Sequence, residues 1–191
     1  MAVPIPKLTP EQYLAIEREA EYKSEYFDGE MYAMAGGSRK HNQLCGRLIG
    51  LLFKHLDGRK DCAIYTSDMK VRAGQERLYT YPDVTVGYGK PVCADSQNDV
   101  LLNPKVIFEV LSQSTETKDR TFKFQEYKKI ASLEEYVLVS QSEPLVERFS
   151  RAPGGVWSTY SEARGLDAML VLESLGIEVP LADIYRDIEF D

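Results

Sequence analysis

Cysteine is scarce in this chain and placed where no motif would need it. Cys45, Cys62 and Cys93 are scattered, odd in number and without metal-ligand spacing. That argues against a disulfide framework and points to a reducing, cytoplasmic setting. No run of apolar residues is long enough to span a bilayer, and Met1–Lys7 lacks the pattern of a signal peptide. No membrane partner is therefore expected. A phosphate-binding glycine loop, a nucleophile elbow and a zinc motif are all absent. So are internal repeats, low-complexity stretches and linkers, and residues 1–191 read as a single domain with a proper core. An excess of positive charge is missing too. The net charge of −7 argues against nucleic-acid binding driven by bulk electrostatics. A local basic groove remains open, because Arg39, Lys40, Arg47, Lys54, Arg59 and Lys60 outnumber Asp57 and Asp61 in their segment. A second cationic stretch holds Lys118, Arg120, Lys123, Lys128 and Lys129. Solvated helix faces account for most of these residues.

Start and stop signals are plentiful. Thr9-Pro10-Glu11-Gln12 predicts a capped helix ending near Glu21. Asp28-Gly29 predicts a hairpin turn within Glu25–Met34. Ser38 caps a helix from His41 to Leu56, striped by Leu44, Leu48, Leu51, Leu52 and Leu56. Strands are expected at Ala63–Val71, Tyr79–Tyr88, Lys105–Leu111 and Tyr136–Ser140, with two or three more across Val146–Tyr160. Ser114 or Thr115 should cap a helix running to about Ile130. The end, from Leu166, is apolar and ambiguous. This order predicts an α/β fold, a mixed central β-sheet flanked by helices.

Two of the apolar strands each carry one acid. Tyr81-Pro82-Asp83-Val84-Thr85-Val86 holds Asp83, and Val106-Ile107-Phe108-Glu109-Val110-Leu111 holds Glu109. A carboxylate in such a place costs free energy unless it is paired, protonated or bound to a cation. Alternation puts Val84 and Val86, and likewise Phe108 and Val110, on the opposite face from the acids. If the strands pair, both carboxylates can face one side and hold a hard cation such as Mg²⁺. The plain structural alternative is a turn-capping Asp83 and an ion-paired Glu109. Lys123 is in helical register with Tyr127 and Ile130, facing the sheet; its alternative is a surface pair with Asp119. His41 shares a helix side with Cys45, Leu48 and Leu52. It could orient a phosphate or a water, or be a boundary histidine, and His55 reads as structural. Glu25 and Glu30 flank the hairpin turn. Either could reach a metal, with a solvated hairpin preferred for Glu25 and Glu30 left open.

Five segments in order carry a resemblance: Glu-Tyr-Phe-Asp-Gly-Glu, Ser-Arg-Lys-His, Tyr-Pro-Asp-Val, Phe-Glu-Val-Leu-Ser and Asp-Arg-Thr-Phe-Lys-Phe-Gln-Glu-Tyr. From about Thr9 to Tyr185 the chain resembles the Uma-two type restriction-endonuclease domain family of the PD-(D/E)XK nuclease superfamily. The resemblance implies a restriction-endonuclease-like core with an extra N-terminal helix and hairpin. It implies that Asp83 and Glu109 are the metal-binding acids and that the Val110 carbonyl is the backbone ligand. The superfamily lysine normally stands two residues after the second acid, where this chain has Leu111; the resemblance points instead to Lys123. His41 and Glu30 match positions characteristic of the family.

The expected function is therefore a Mg²⁺-dependent endonuclease, with Mn²⁺ as substitute, hydrolysing DNA phosphodiester bonds. Asp83, Glu109, Lys123 and His41 are the catalytic candidates. Asp83, Glu109, Val110 and Glu30 are the metal-site candidates. Cleavage of RNA is the weaker variant. The alternative is a nuclease-fold binding or accessory module that cleaves poorly or not at all. A homodimer is consistent with cutting two strands, by analogy of fold alone.

Overall fold

Local signals in the first third are used as written. The computed structural model describes residues 7–190, so Met1–Pro6, where a signal peptide was judged absent, lie outside the described residues. Helix α1, Pro10–Glu19, opens on a capping box in which Thr9 Oγ1 accepts from the Gln12 amide and Gln12 Oε1 from the Thr9 amide. Strands β1 (Ser24–Phe27) and β2 (Glu30–Ala33) pair antiparallel. Asp28 and Gly29 between them have φ of 46° and 97°, the positive values a two-residue hairpin turn requires. Helix α2, Arg39–Leu56, is capped by Ser38 Oγ on the His41 amide and buries Leu44, Leu48, Leu52 and Leu56.

The middle of the chain departs from expectation in an informative way. The two predicted strands 63–71 and 79–88 are each broken, and their halves join different sheets. The observed strands are β3 (Cys62–Thr66), β4 (Lys70–Ala73), β5 (Leu78–Thr80) and β6 (Val84–Tyr88). A turn closed by the Met69 amide on the Thr66 carbonyl makes the first break. Pro82 makes the second, because it has no N–H for a ladder and restricts Tyr81. Asp83 therefore stands in the turn that leads into β6, just outside the strand.

With β7 (Val100–Leu101), the smaller sheet has the order β2-β1-β5-β4-β7. The larger gains β8 (Pro104–Val110), β9 (Glu135–Val139), β10 (Leu145–Arg151) and β11 (Trp157–Arg164), in the order β11-β10-β9-β8-β6-β3. It is a mixed sheet: β8 and β9 are parallel and the remaining pairs antiparallel. A parallel pair needs a crossover. It is supplied by α3 (Glu116–Lys118), a π-helical turn (Asp119–Lys123) and α4 (Phe124–Tyr127). Neither expected residue caps this crossover by its side chain. Thr115 already has helical dihedrals, and its amide donates to Ser112 Oγ. The chain ends in a small hairpin, β12 (Met169–Leu172) and β13 (Ile177–Pro180), and helix α5 (Leu181–Ile184).

Each face of the large sheet has its own core. Val84, Val86, Val106, Phe108, Val110, Val137 and Val139 pack with the α2 leucines and the C-terminal hairpin. Ile107, Leu111, Tyr136 and Leu138 pack with Tyr127, Ile130 and Leu133, and with Val71, Ala73 and Leu78 of the small sheet. Every such side chain contributes about 1.5–3 kcal/mol of burial, which fixes α2 on one face and the crossover on the other. Among the described residues, no helix is long and apolar enough to cross a membrane.

The small sheet is pinned at its far side by Arg18, which forks onto Asp99 at 3.0 and 2.7 Å, while Lys70 Nζ reaches the same carboxylate at 3.0 Å. The Arg18 hydrogen bonds outweigh partial burial, and with Lys70 they hold Asp99 at about 2. Its folded value lies below its ordinary one, so this stabilisation is present above about pH 4 and is lost as pH falls toward 2. Asp99→Asn should therefore lower stability at pH 7 by about 1 kcal/mol, partial exposure screening the pair. It should also flatten the acid limb between pH 4 and pH 2. An unchanged acid limb in thermal melts would show that Asp99 is not held this way.

Candidate functional site

Asp83 and Glu109 are brought together by the register of β6 and β8. Val84 pairs with Phe108, and continuing that antiparallel register by one residue sets Asp83 opposite Glu109. The Val110 amide donates to Asp83 Oδ2 at 2.7 Å, which ties the turn after Pro82 to the end of β8. On its other oxygen, Asp83 Oδ1 lies 3.1 Å from His41 Nε2. The imidazole comes from the first turn of α2, and two contacts place it. Ser38 Oγ pairs with Gln141 Oε1 at 2.9 Å, and Gln141 Nε2 donates to the Leu111 carbonyl at 2.7 Å. Gly37 packs so closely that an added Cβ would stand 2.6 Å from His41 Nδ1. Only a residue without a side chain fits there without moving the ring.

Glu109 points to the crossover side of the sheet. Its Oε1 accepts from Lys123 Nζ at 3.0 Å and from Tyr127 Oη at 2.8 Å. Asp119, Lys123 and Tyr127 follow one another at intervals of four, and the π-helical turn over Asp119–Lys123 keeps the first two on one inward line. Such wide turns recur at functional sites. Lys123 Nζ also lies 3.2 Å from Asp119 Oδ1 and 3.4 Å from Glu25 Oε1. Glu25 enters from β1 of the small sheet, hydrogen-bonded by Thr80 and by Lys118 Nζ at 2.5 Å. The site therefore sits where the crossover, both sheets and the start of α2 meet.

Acids outnumber bases in it by four to three. Glu25, Asp83, Glu109 and Asp119 face Lys118, Lys123 and His41. Burial pushes Glu109 up to about 8, against the pull of Lys123, with Asp119 and Asp83 adding to the rise. Burial would lower Lys123, but the field of Glu109, then Tyr127, Glu25 and Asp119, raises it well above its ordinary value, and it stays an ammonium. Burial works against Glu25 as a carboxylate, yet Lys123 and Lys118 prevail and hold it at about 2. The Asp83 hydrogen bond raises His41 against burial. Burial, with Asp83 and Glu109 beyond it, pushes the Cys45 thiol up, so it is no ready nucleophile. One buried oxygen, Asp119 Oδ1, has no hydrogen-bond partner, although Lys123 Nζ is near it. A carboxylate at Asp83 beside a glutamic acid that keeps its proton suits the chemistry of an oxygen-seeking divalent cation, which would take the place of the proton. The three donors whose ligand atoms lie within 4.8 Å of one another, however, join Asp83 to His41 and Cys45 and not to Glu109.

Asp83, Glu109, Lys123, His41 and the Val110 main chain thus come together, with the Val110 amide touching a carboxylate. Glu30 does not join them. It is exposed on β2, the edge strand, where it accepts from Tyr32 Oη at 2.5 Å. The hairpin acid in the cluster is Glu25, one strand further in and 6% exposed. Asp119 does pair with Lys123, but in the interior and not on the surface. The signal for Asp119 was its place four residues before Lys123 and eight before Tyr127. For Glu25 the sequence offered only its place beside the hairpin turn, and the solvated hairpin preferred for it gives way because its burial comes from the packing of one sheet against the crossover.

A family model described as "Putative restriction endonuclease", Uma2, matches residues 10–182. The chain is 37% identical over 191 residues to "Uncharacterized protein slr1290" of Synechocystis sp., across 99% of this chain and 97% of that one. It is 36% identical over 150 residues to "Uncharacterized protein sll1609" of the same organism, across 78% and 84%. The fold is similar to the crystal structure of a putative nuclease belonging to DUF820 from Anabaena variabilis. The TM-score is 0.77 and the identity 16%, over 93% of this chain and 97% of that chain.

Two outcomes follow from the charge balance. Lys123→Met should destabilise the protein by about 3 kcal/mol or more in urea unfolding, because it strands buried acids. A loss under 1 kcal/mol would show that the ammonium is not their counterion. Glu109 has a folded value raised above its unfolded one, so its contribution is fully present below about pH 4.5 and is lost as pH rises through about 8. Without added metal, stability should fall by a few kcal/mol across that window, at about 1.4 kcal/mol per unit, and Glu109→Gln should abolish the fall. Parallel pH profiles of the two proteins would refute this.

Proposed function

The chain belongs to the Uma2 family of putative restriction endonucleases, and we propose that it is a divalent-metal-dependent endonuclease that hydrolyses DNA phosphodiester bonds. The observation that carries this reading is the meeting of Asp83 and Glu109 at the ends of two paired strands, with a buried lysine on the second acid. Asp83 and Glu109 would hold the cation, Mg²⁺ or its substitute Mn²⁺, with the Val110 main chain beside them. When bound, such an ion polarises a phosphoryl oxygen and lowers the pKa of a water.

The remaining work falls to this chain's own groups. Lys123 keeps its proton and holds Glu109 in place through Oε1. Its fixed positive charge also offsets negative charge that builds on the phosphate. His41, whose protonated form Asp83 favours, orients that carboxylate and, when protonated, offers a proton near the scissile bond. The α2 amides open beside it with no acid in the first helical turn, which favours an approaching phosphate. This local field lets an overall acidic chain accept DNA, and RNA is the less favoured substrate. A homodimer would place two such sites on two strands.

A second reading is a nuclease-fold module that binds nucleic acid without efficient cleavage. The dense pairing of Lys123 with Glu25, Glu109 and Asp119 favours it, because an ammonium so occupied has less field to spare for a phosphate.

The test is supercoiled plasmid with Mg²⁺ or Mn²⁺, followed on a gel. Wild type should nick or linearise it, and chelator should stop the reaction. Asp83→Asn and Glu109→Gln should each lose roughly 10²-fold or more, and His41→Ala about 10–100-fold as a positioning change. Mn²⁺ should raise the melting temperature of wild type and hardly that of Asp83→Asn. A melting shift without strand breaks would favour the second reading. Equal shifts in both proteins would place the ion elsewhere.

A further inference from the structure

One group of donors at the edge of the acid cluster has a different chemistry from the rest. His41 and Cys45 are one turn apart on α2 and face the turn that carries Asp83. A ligand atom from each of the three residues lies within 4.8 Å of the other two. The imidazole turns one nitrogen to each neighbour: Nε2 is 3.1 Å from Asp83 Oδ1 and Nδ1 is 3.6 Å from Cys45 Sγ, and an ion shared by all three would use only one of the two nitrogens. Tetrahedral ligands of a zinc ion stand roughly 3.3–3.6 Å apart, from metal–ligand bonds of about 2.0–2.3 Å, so donors within 4.8 Å of one another need a small side-chain turn to close on one ion. All three residues are half-buried, so an ion can reach them from solvent. Gly37 holds the imidazole from outside, and the Val110 amide holds Asp83 from below. The fold therefore gathers the three donors before any ion arrives, and the ion completes their alignment.

We propose that His41, Cys45 and Asp83 form a second metal site, selective for a thiophilic borderline ion such as Zn²⁺, which excludes the hard cation by claiming the shared Asp83. Sulfur and imidazole favour zinc over magnesium, whereas carboxylates alone favour the hard ion. Three protein ligands leave a fourth position open to water. The buried, acid-flanked thiol keeps its proton while no cation is present, but an ion at its centre reverses that field, and a coordinating thiol gives up its proton. Binding would release that proton, together with the second proton of any protonated imidazole, and would break the His41–Asp83 hydrogen bond, so the imidazole and the carboxylate would leave the roles assigned to them above. Occupation by zinc would then switch the site off. The binding claim stands apart from the nuclease reading, and only the inhibition rests on it.

Cobalt is the probe for the site, because a Co²⁺–thiolate bond absorbs in the near ultraviolet. Wild type titrated with Co²⁺ should gain that band, and Zn²⁺ should displace it at one equivalent. Cys45→Ser and Cys45→Ala should lack the band and bind Zn²⁺ at least tenfold more weakly. Both should keep the wild-type melting shift with Mn²⁺, which also shows that they fold. In the plasmid assay with Mn²⁺, these variants should cleave like wild type yet need at least tenfold more Zn²⁺ for half inhibition. No band in wild type, or equal Zn²⁺ affinity in wild type and both variants, overturns the proposal. A wild type that binds Co²⁺ through Cys45 but never cleaves would sink the nuclease reading and leave the metal site standing.

Discussion

Lys123 keeps its charge at 6% exposure, and the molecule is built around what that requires. A buried ammonium is tolerated only with acids close by, and its partners come from three places. Glu109 is on the central strand β8, Asp119 on the crossover itself, and Glu25 on the hairpin of the small sheet. One charged group thus cross-links elements that share little backbone pairing. The apolar layer of Tyr127, Leu111, Ile107 and Leu138 beside it supplies most of the packing energy. The ammonium decides the register in which those layers meet, because a slip of one residue would bury a charge against hydrocarbon.

The second constraint is the break at Pro82. Had Tyr79–Tyr88 been one strand, Asp83 would have lain inside a ladder with its side chain fixed perpendicular to a sheet. Because the chain leaves one sheet at Thr80 and joins the other at Val84, the Asp83 carboxylate is free to turn along the strand end. There it accepts from Val110 and meets His41, which approaches from the face opposite to Lys123. A site served from both faces of a sheet is possible only at a strand terminus, and the proline provides one.

Much of this was legible in the residues. The caps at Thr9 and Ser38 and the Asp28-Gly29 turn depend on contacts within four residues, and they stand as expected. The pairing of acids was legible because each interrupts an apolar run. The two broken strands were not, since their halves keep the composition of strands and differ only in which sheet they join. The burial of Glu25 was not either, since its place beside the Asp28-Gly29 turn favoured a solvated hairpin; what buries it is the crossover, which brings Lys118 and Lys123 to it. Cys45 was seen beside His41 on the helix, but the third donor lies across the fold.

Leu111 explains why the lysine can stand on the crossover at all. It follows Glu109 by two residues and so shares its face. In this chain Leu111 is 5% exposed and packs with Tyr127 and Ile130. A lysine there would have to thread its ammonium past that apolar layer to reach the carboxylate. The parallel pairing of β8 with β9 makes a crossover unavoidable, and a crossover must pass over the face that Glu109 occupies. A π-helical turn then aligns Asp119 and Lys123 toward that face, where Lys123 reaches Glu109. Carrying the ammonium on the crossover costs the fold no new element. It lets the sheet keep a closed apolar layer, and it ties the charge of the site to the one connection that the topology cannot omit.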